Sequence, residues 1–190
     1  QLGKADILLV YAERRPHGAG YIVRFVEFDG DLSGTGAEQA AAILSLHDFA
    51  MARIALRARS QPCWTGMFVF DRPLDDLPPV LRRCGAIAWA ARNSAKPGRS
   101  GPEAWVVQAS QGWTAERIDE PQEDVAAMLL AELAKAAACP VPRPVAATAH
   151  RWRYALSAGT GDGALWNAGI RLGVCGDWLL GPRVECAWLS

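Results

Sequence analysis

The 190-residue chain has no excess charge of either sign: Lys and Arg number 20, as do Asp and Glu. A balanced surface argues against a nucleic-acid binder, which needs a basic patch to meet phosphates. It also argues against a polybasic membrane anchor. No apolar run reaches the ~20 residues that a membrane-spanning helix requires. The first residues lack the basic-then-apolar order of a secretory signal. Five cysteines, an odd number, occur without a C-x-x-C pair, and no Cys/His cluster has zinc-ligand spacing. These absences predict a cytoplasmic protein with reduced, mostly buried thiols, no metal, no nucleic-acid partner and no membrane partner.

Several chemical motifs are missing too. Gly34-Thr35-Gly36 and Gly159-Thr160-Gly161 give only G-x-G, not the G-x-G-x-x-G that cradles a pyrophosphate. There is no Walker-type loop and no G-x-S-x-G elbow. Histidine is scarce, with only His17, His47 and His150. His47, Asp48 and Cys63 have the residue types of a nucleophilic triad but no spacing that supports one. Catalytic residues therefore cannot be assigned from motifs, and no internal repeat organises the chain.

What is present is an apolar half and a pattern of short strands. Residues 5–11, 21–28, 64–70, 87–91, 104–109, 146–156 and 170–175 are rich in β-branched and aromatic residues and are expected to be strands. Partial alternation over 51–59 predicts a further strand with one wet face. Residues 37–46 are helical by propensity. The strongest helix is 121–138, with Pro121 at its start and a buried stripe of Val125, Met128, Leu129 and Leu133. Residues 13–20, 29–36, 71–79, 93–102 and 159–163 are loops by their Pro, Gly and Asp content. The expected fold is α+β: a mainly antiparallel or mixed sheet with helices on one face.

Two clusters carry candidate chemistry. On the strand 146–156, His150, Trp152 and Tyr154 share one face and Arg151 and Arg153 the other. His150 suits either a packing role or an aromatic-walled pocket for a flat ligand. At the end of the chain, R-L-G-V-C-G-D-W-L-L-G-P-R-V-E-C-A-W-L-S (171–190) reads as strand, Gly-Asp break, turn and helix start. Asp177 is placed either to cap that helix or to accept hydrogen bonds from ligand hydroxyls, while the N–H groups of 184–186 face the same ligand. Lys96 and Arg99 flank a tight turn that suits either plain surface or an anionic group.

These residues resemble a known family. H-R-W-R-Y-A (150–155) and L-G-V-C-G-D-W-L-L-G-P-R-V-E-C-A-W-L-S (172–190) are similar to the C-terminal half of the renalase-like flavoproteins, in the flavin-containing amine oxidase superfamily. P-C-W-T-G-M-F-V-F-D-R-P (62–73), S-A-K-P-G-R (94–99) and A-W-V-V-Q-A-S (104–110) agree with it. The resemblance covers roughly 38–190. It implies an FAD-dependent oxidoreductase that passes hydride from a reduced nicotinamide-type (NAD(P)H) or amine donor to flavin, with oxygen as acceptor and a small molecule as substrate. It implies a substrate domain over 38–156 and the last piece of an FAD-binding domain over 157–190, with 1–37 unassigned. Gly176 and Asp177 would meet the ribityl or pyrophosphate part of FAD. Arg183, Val184 and Glu185 would lie near the flavin ring. His150, Trp152, Tyr154 and Gln108 would line the substrate pocket.

The chain departs from the family at Cys186, where Gly is usual, at Gln108, where His is common, and in lacking the N-terminal βαβ unit. Those departures sustain an alternative, a non-catalytic α+β binding or structural domain that no longer holds the cofactor.

Overall fold

Strand β6 (Glu103–Ala109) alternates buried and half-buried residues along its whole length, the period-2 mark of a sheet packed on one face. It is the centre of a five-stranded sheet ordered β4-β5-β6-β3-β7, with β3 spanning Ser60–Phe70, β4 Val80–Cys84, β5 Ile87–Arg92 and β7 Ala146–Ser157. The pairings β3–β6, β4–β5 and β5–β6 are antiparallel, with a bulge between Ile87 and Trp89. The computed structural model describes residues 9–14, 21–26, 36–137 and 140–190. The chain is α+β and divides into two compact units, Pro62–Arg153 and a second made of Gln1–Gln61 with Tyr154–Ser190.

The Pro62–Arg153 unit, the sheet unit, buries Phe68, Phe70, Ile87, Trp105 and Val107 against helix α4 (Gln122–Ala137). Val125, Ala126, Leu129 and Leu133 form the packed face of α4, while Met128, expected in that stripe, is 37% exposed at its rim. Each fully buried Leu or Val contributes about 1.5–3 kcal/mol by leaving water. A short helix α3 (Gln111–Glu116) follows β6; Ser110 caps it by accepting from Trp113 N–H at 3.4 Å.

The second unit has its own core. Helix α1 (Ala37–Leu44) contributes Ala37, Ala40, Ala41 and Leu44, and α2 (Phe49–Ala55) contributes Met51, Ala52 and Ala55. Leu172 and Val174 of β9 (Leu172–Val174) and Trp178 and Leu179 complete it. Hairpin β1 (Leu9–Arg14) with β2 (Tyr21–Val26), and β8 (Leu165–Asn167) with β9, are antiparallel pairs.

Residues 51–59, expected as a strand, are instead mostly helix. Asp48 Oδ1 accepts from Met51 N–H at 3.0 Å and starts α2. The buried set Met51, Ala52, Ala55 has helical spacing, and Leu56, which the strand reading buried, is 59% exposed. The compact sheet unit begins at Pro62, because α1 and α2 pack with the C-terminal segment. The expected turn at 29–30, the loop at 15–20 and Cys139 lie outside the described residues.

Candidate functional site

The C-terminal arc begins where β9 ends. Cys175 and Gly176 leave the strand, and a single helical turn α5 (Asp177–Leu180) follows, then Gly181, Pro182, Arg183 and helix α6 (Val184–Leu189). Gly176 stands at φ 158° and ψ 156°, a region essentially confined to glycine. A Cβ there would sit 2.7 Å from Trp178 Nε1. Glycine thus lets the chain turn sharply off the strand and place Asp177 first in α5. The sequence reading ran from Gly-Asp to a turn and missed α5; one turn is too short to show periodicity.

The arc is tied at several points. Gly176 N–H donates to Ser190 Oγ at 2.9 Å, and that hydroxyl donates to Gly163 O at 2.6 Å. The loop at 159–161 caps α5: Thr160 N–H donates to Trp178 O at 3.3 Å and Gly161 N–H to Leu179 O at 2.8 Å. Gly176 therefore sits at the C-terminal end of α6, and Arg183 and Val184 start its other end. With a rise of 1.5 Å per residue the two ends are about 9 Å apart. Asp177, next to Gly176, thus stands at one end of this arc and the first N–H groups of α6 at the other, so a single ligand that meets both would have to be elongated.

Among the described residues the Asp177 carboxylate, half-buried, has no hydrogen-bond or ion-pair partner. The Arg183 and Glu185 side chains are exposed and have no partner among the described residues. In α6 the N–H groups of Cys186 and Ala187 bond Arg183 O, at 3.0 and 3.3 Å, which leaves those of Val184 and Glu185 open. Cys186, buried, lies under Gly181.

The other expected site residues are divided. His150 and Trp152 meet edge to face at 4.4 Å, and the enclosed His150 Nε2 has no partner among the described residues. Gln108 lies on β6, opposite Thr65 and Trp89 and half-buried. Tyr154 belongs to the other compact unit, with its Cβ against Gly36 at the start of α1.

Three polar clusters were not legible in the sequence. Glu103 accepts from Trp105 Nε1 at 2.7 Å and Ser94 Oγ at 3.0 Å, and its Oε1 lies 3.0 Å from Arg92 Nε, out of line for a hydrogen bond. Arg92 also donates to Leu74 O, so the pair pins the 71–79 loop to the sheet. Glu38 accepts from Ser60 N–H at 2.8 Å, while its enclosed Oε2 has no partner among the described residues. Asp48 takes a hydrogen bond from Asn167 at 2.6 Å, which with the Met51 and Ala50 N–H groups holds its pKa below the ordinary value against a small opposing burial effect. The partners that could not be read locally are the distant ones: Arg92 and Ser94 for Glu103, Ser60 for Glu38 and Asn167 for Asp48.

Cys63 is not an activated nucleophile. Burial pushes its thiol pKa up, against the smaller pull of hydrogen bonds with Thr65 and the Ala109 carbonyl. His47 is exposed, and Asp48 is committed to its cap and to Asn167, so Asp48 is not free to orient a histidine. Among the described residues no group of three or more His, Cys, Asp or Glu could hold a metal, and no helix is long and apolar enough to cross a membrane.

No family model matches the chain. Among solved structures it is similar to a protein assigned as a protoporphyrinogen oxidase from Exiguobacterium sp. 255-15, with a TM-score of 0.53 and 15% identity. The match covers 83% of this chain but only 36% of that protein, so the chain spans little more than a third of its length. At that identity the likeness is one of fold.

Proposed function

We propose that the chain is the substrate-side sheet and C-terminal cofactor segment of an FAD-dependent oxidoreductase related to the flavin-containing amine oxidases. The observation that carries this reading is Asp177: a half-buried carboxylate with no partner among the described residues, set where a strand ends and a helix begins. Residue chemistry fits FAD along the arc. The Asp177 carboxylate accepts from ribityl hydroxyls. About 9 Å away, the open N–H groups of Val184 and Glu185, with the Arg183 cation, suit the electron-rich edge of the flavin ring. The fold likeness to a protein assigned as an oxidase supports the same class.

FAD, when bound, supplies the two-electron acceptor; the protein's part is to bind, orient and exclude water. Asp177 orients the ribityl chain by accepting hydrogen bonds. Arg183 and the α6 N–H groups favour negative charge at the ring edge and so favour the reduced state. On the sheet unit, Gln108 offers an amide, and His150 an unpaired ring nitrogen beside Trp152, to a small substrate. The electron donor in this reading is a reduced nicotinamide or an amine, with oxygen as acceptor.

One observation favours the alternative of a binding domain without cofactor. Gly176 N–H, part of the arc, is already satisfied by Ser190.

The deciding experiment is titration of the chain with FAD, followed by quenching of flavin fluorescence. Saturable quenching is expected, and bound flavin should bleach on adding NADH or NADPH. Asp177→Asn keeps the shape and loses the charge. It should weaken FAD at least tenfold, since hydrogen bonds to a charged group contribute about 1.5–3 kcal/mol. Equal affinity in the variant removes Asp177 from the site, and no quenching at all leaves the binding-domain alternative.

A further inference from the structure

The five-stranded sheet turns one face to its core and leaves the other half-buried. Cross-strand partners project to the same face, so the register names what stands there. Arg82 on β4 pairs with Trp89 on β5, Trp89 with Gln108 on β6, and Gln108 with Thr65 on β3. The row beside it is apolar, with Ala91, Val106 and Met67. The alternate rows, with Leu81, Ala90 and Val107, are buried in the core. The bulge between Ile87 and Trp89 makes this possible, because it turns Ile87 into the core and Trp89 out of it.

Three properties of this row bear on what it could bind. Trp89 and Gln108 are half-buried, so each keeps reachable surface. Arg82 is exposed, and among the described residues its side chain has no ion-pair partner. No carboxylate stands in this row or the apolar one; Glu103, the nearest acid on β6, faces the core and is tied to Trp105 and Ser94. The face is cationic at one end, aromatic in the middle and amide-bearing beyond it. Strands are spaced about 4.8 Å apart, so Arg82 and Gln108 are about 10 Å from each other with the indole between them. On β7, Ala149 and Arg151 turn to the core side, Arg151 over the Trp64 ring. His150 therefore turns to this second face, where Thr65 and Ala91 are buried, and its Nε2 is an enclosed polar atom without a partner among the described residues.

We propose that the row Arg82–Trp89–Gln108 binds a flat, anionic small molecule, its ring on Trp89, its anionic group at Arg82 and a hydrogen-bonding group at Gln108. This deepens the substrate side of the proposed function and rests on it only for the word substrate. Binding itself needs no flavin.

The test is titration of the full chain with 6-hydroxy-2-naphthoate and with neutral 6-hydroxy-2-naphthamide, without FAD, read by calorimetry. The naphthoate should bind at least fivefold tighter than the naphthamide. Arg82→Gln should remove that difference and Arg82→Lys should keep most of it. Trp89→Leu should weaken both probes about tenfold, in line with the worth of ring stacking. Unchanged circular dichroism in each variant ties the loss to the row. Equal affinity for the two probes, or full affinity for both in Trp89→Leu, overturns the proposal. A chain that binds the naphthoate but not FAD sinks the flavin reading alone. One that binds FAD and ignores the charge of the naphthyl probe sinks the proposed site alone.

Discussion

Single side chains here owe their roles to partners far away in sequence. Asp48 caps the short helix α2 and Asp177 is the first residue of the short helix α5, and the sequence marked only Asp177 as a ligand-binding candidate. Asp48 owes its character to Asn167, 119 residues away, which no local reading can supply. The consequence is testable through pH. The folded-state pKa of Asp48 is lowered, first by Asn167 and then by the Met51 N–H. Its carboxylate therefore stabilises the fold at pH above its unfolded value of 3.8, and that contribution fades as pH falls through the lowered value. Asp48→Asn keeps a capping side chain and loses the charge. Its melting temperature should lie below the parent's at pH 7, with the gap narrowing as the pH falls below 3.8. A gap of constant size across that range would mean the charge is irrelevant. Glu103 teaches the same lesson: its Arg92 and Ser94 partners are separated from it by a loop, so its buried place on β6 read as plain strand.

Elements were legible in proportion to their length. The sixteen residues of α4 and the alternating β6 announce themselves, because several turns or pleats repeat the pattern. The strand β4, the helix α3, the three-residue β8 and the four-residue α5 were invisible, since none is long enough for a period to show. Helix α2 was misread because Ile54, Leu56 and Ala58 imitate alternation over a stretch of only seven helical residues. The loop that caps α5 shows how such short elements survive. Ala158 leads into Gly159, whose backbone lies so close to α5 that a Cβ would be 2.2 Å from Leu180 O. That obstacle is backbone and cannot swing aside. Gly159→Ala should therefore push the loop off α5, expose the Trp178 and Leu179 carbonyls, and cost about 1–3 kcal/mol. Urea unfolding checks this, with Gly112→Ala in α3, where an added Cβ meets nothing within 4 Å, as the control expected to be neutral or slightly stabilising. Equal midpoints for Gly159→Ala and the parent would show that the loop does not need its close approach.

For the whole molecule, the α+β class followed from strand count and one long helix, but the division of the chain did not. Composition changes little at Gln61, and what assigns α1 and α2 to the C-terminal segment is the shared burial of Leu44, Ala55, Val174 and Leu179. A boundary set by contacts between distant segments leaves no mark in either one. Two separate cores follow, one around Phe68, Trp105 and Leu129, the other around Leu44 and Trp178. Leu129 is fully buried, with its Cδ1 close to Gly66, so Leu129→Ala opens a cavity that the neighbours cannot readily fill. Such a truncation costs about 2–5 kcal/mol. If each core stabilises its own unit, the variant should speed hydrogen exchange at the β5 and β6 amides more than tenfold and leave those of β9 nearly unchanged. Leu179→Ala should do the reverse. Faster exchange in both units from either substitution would mean that the two cores unfold together rather than as separate units.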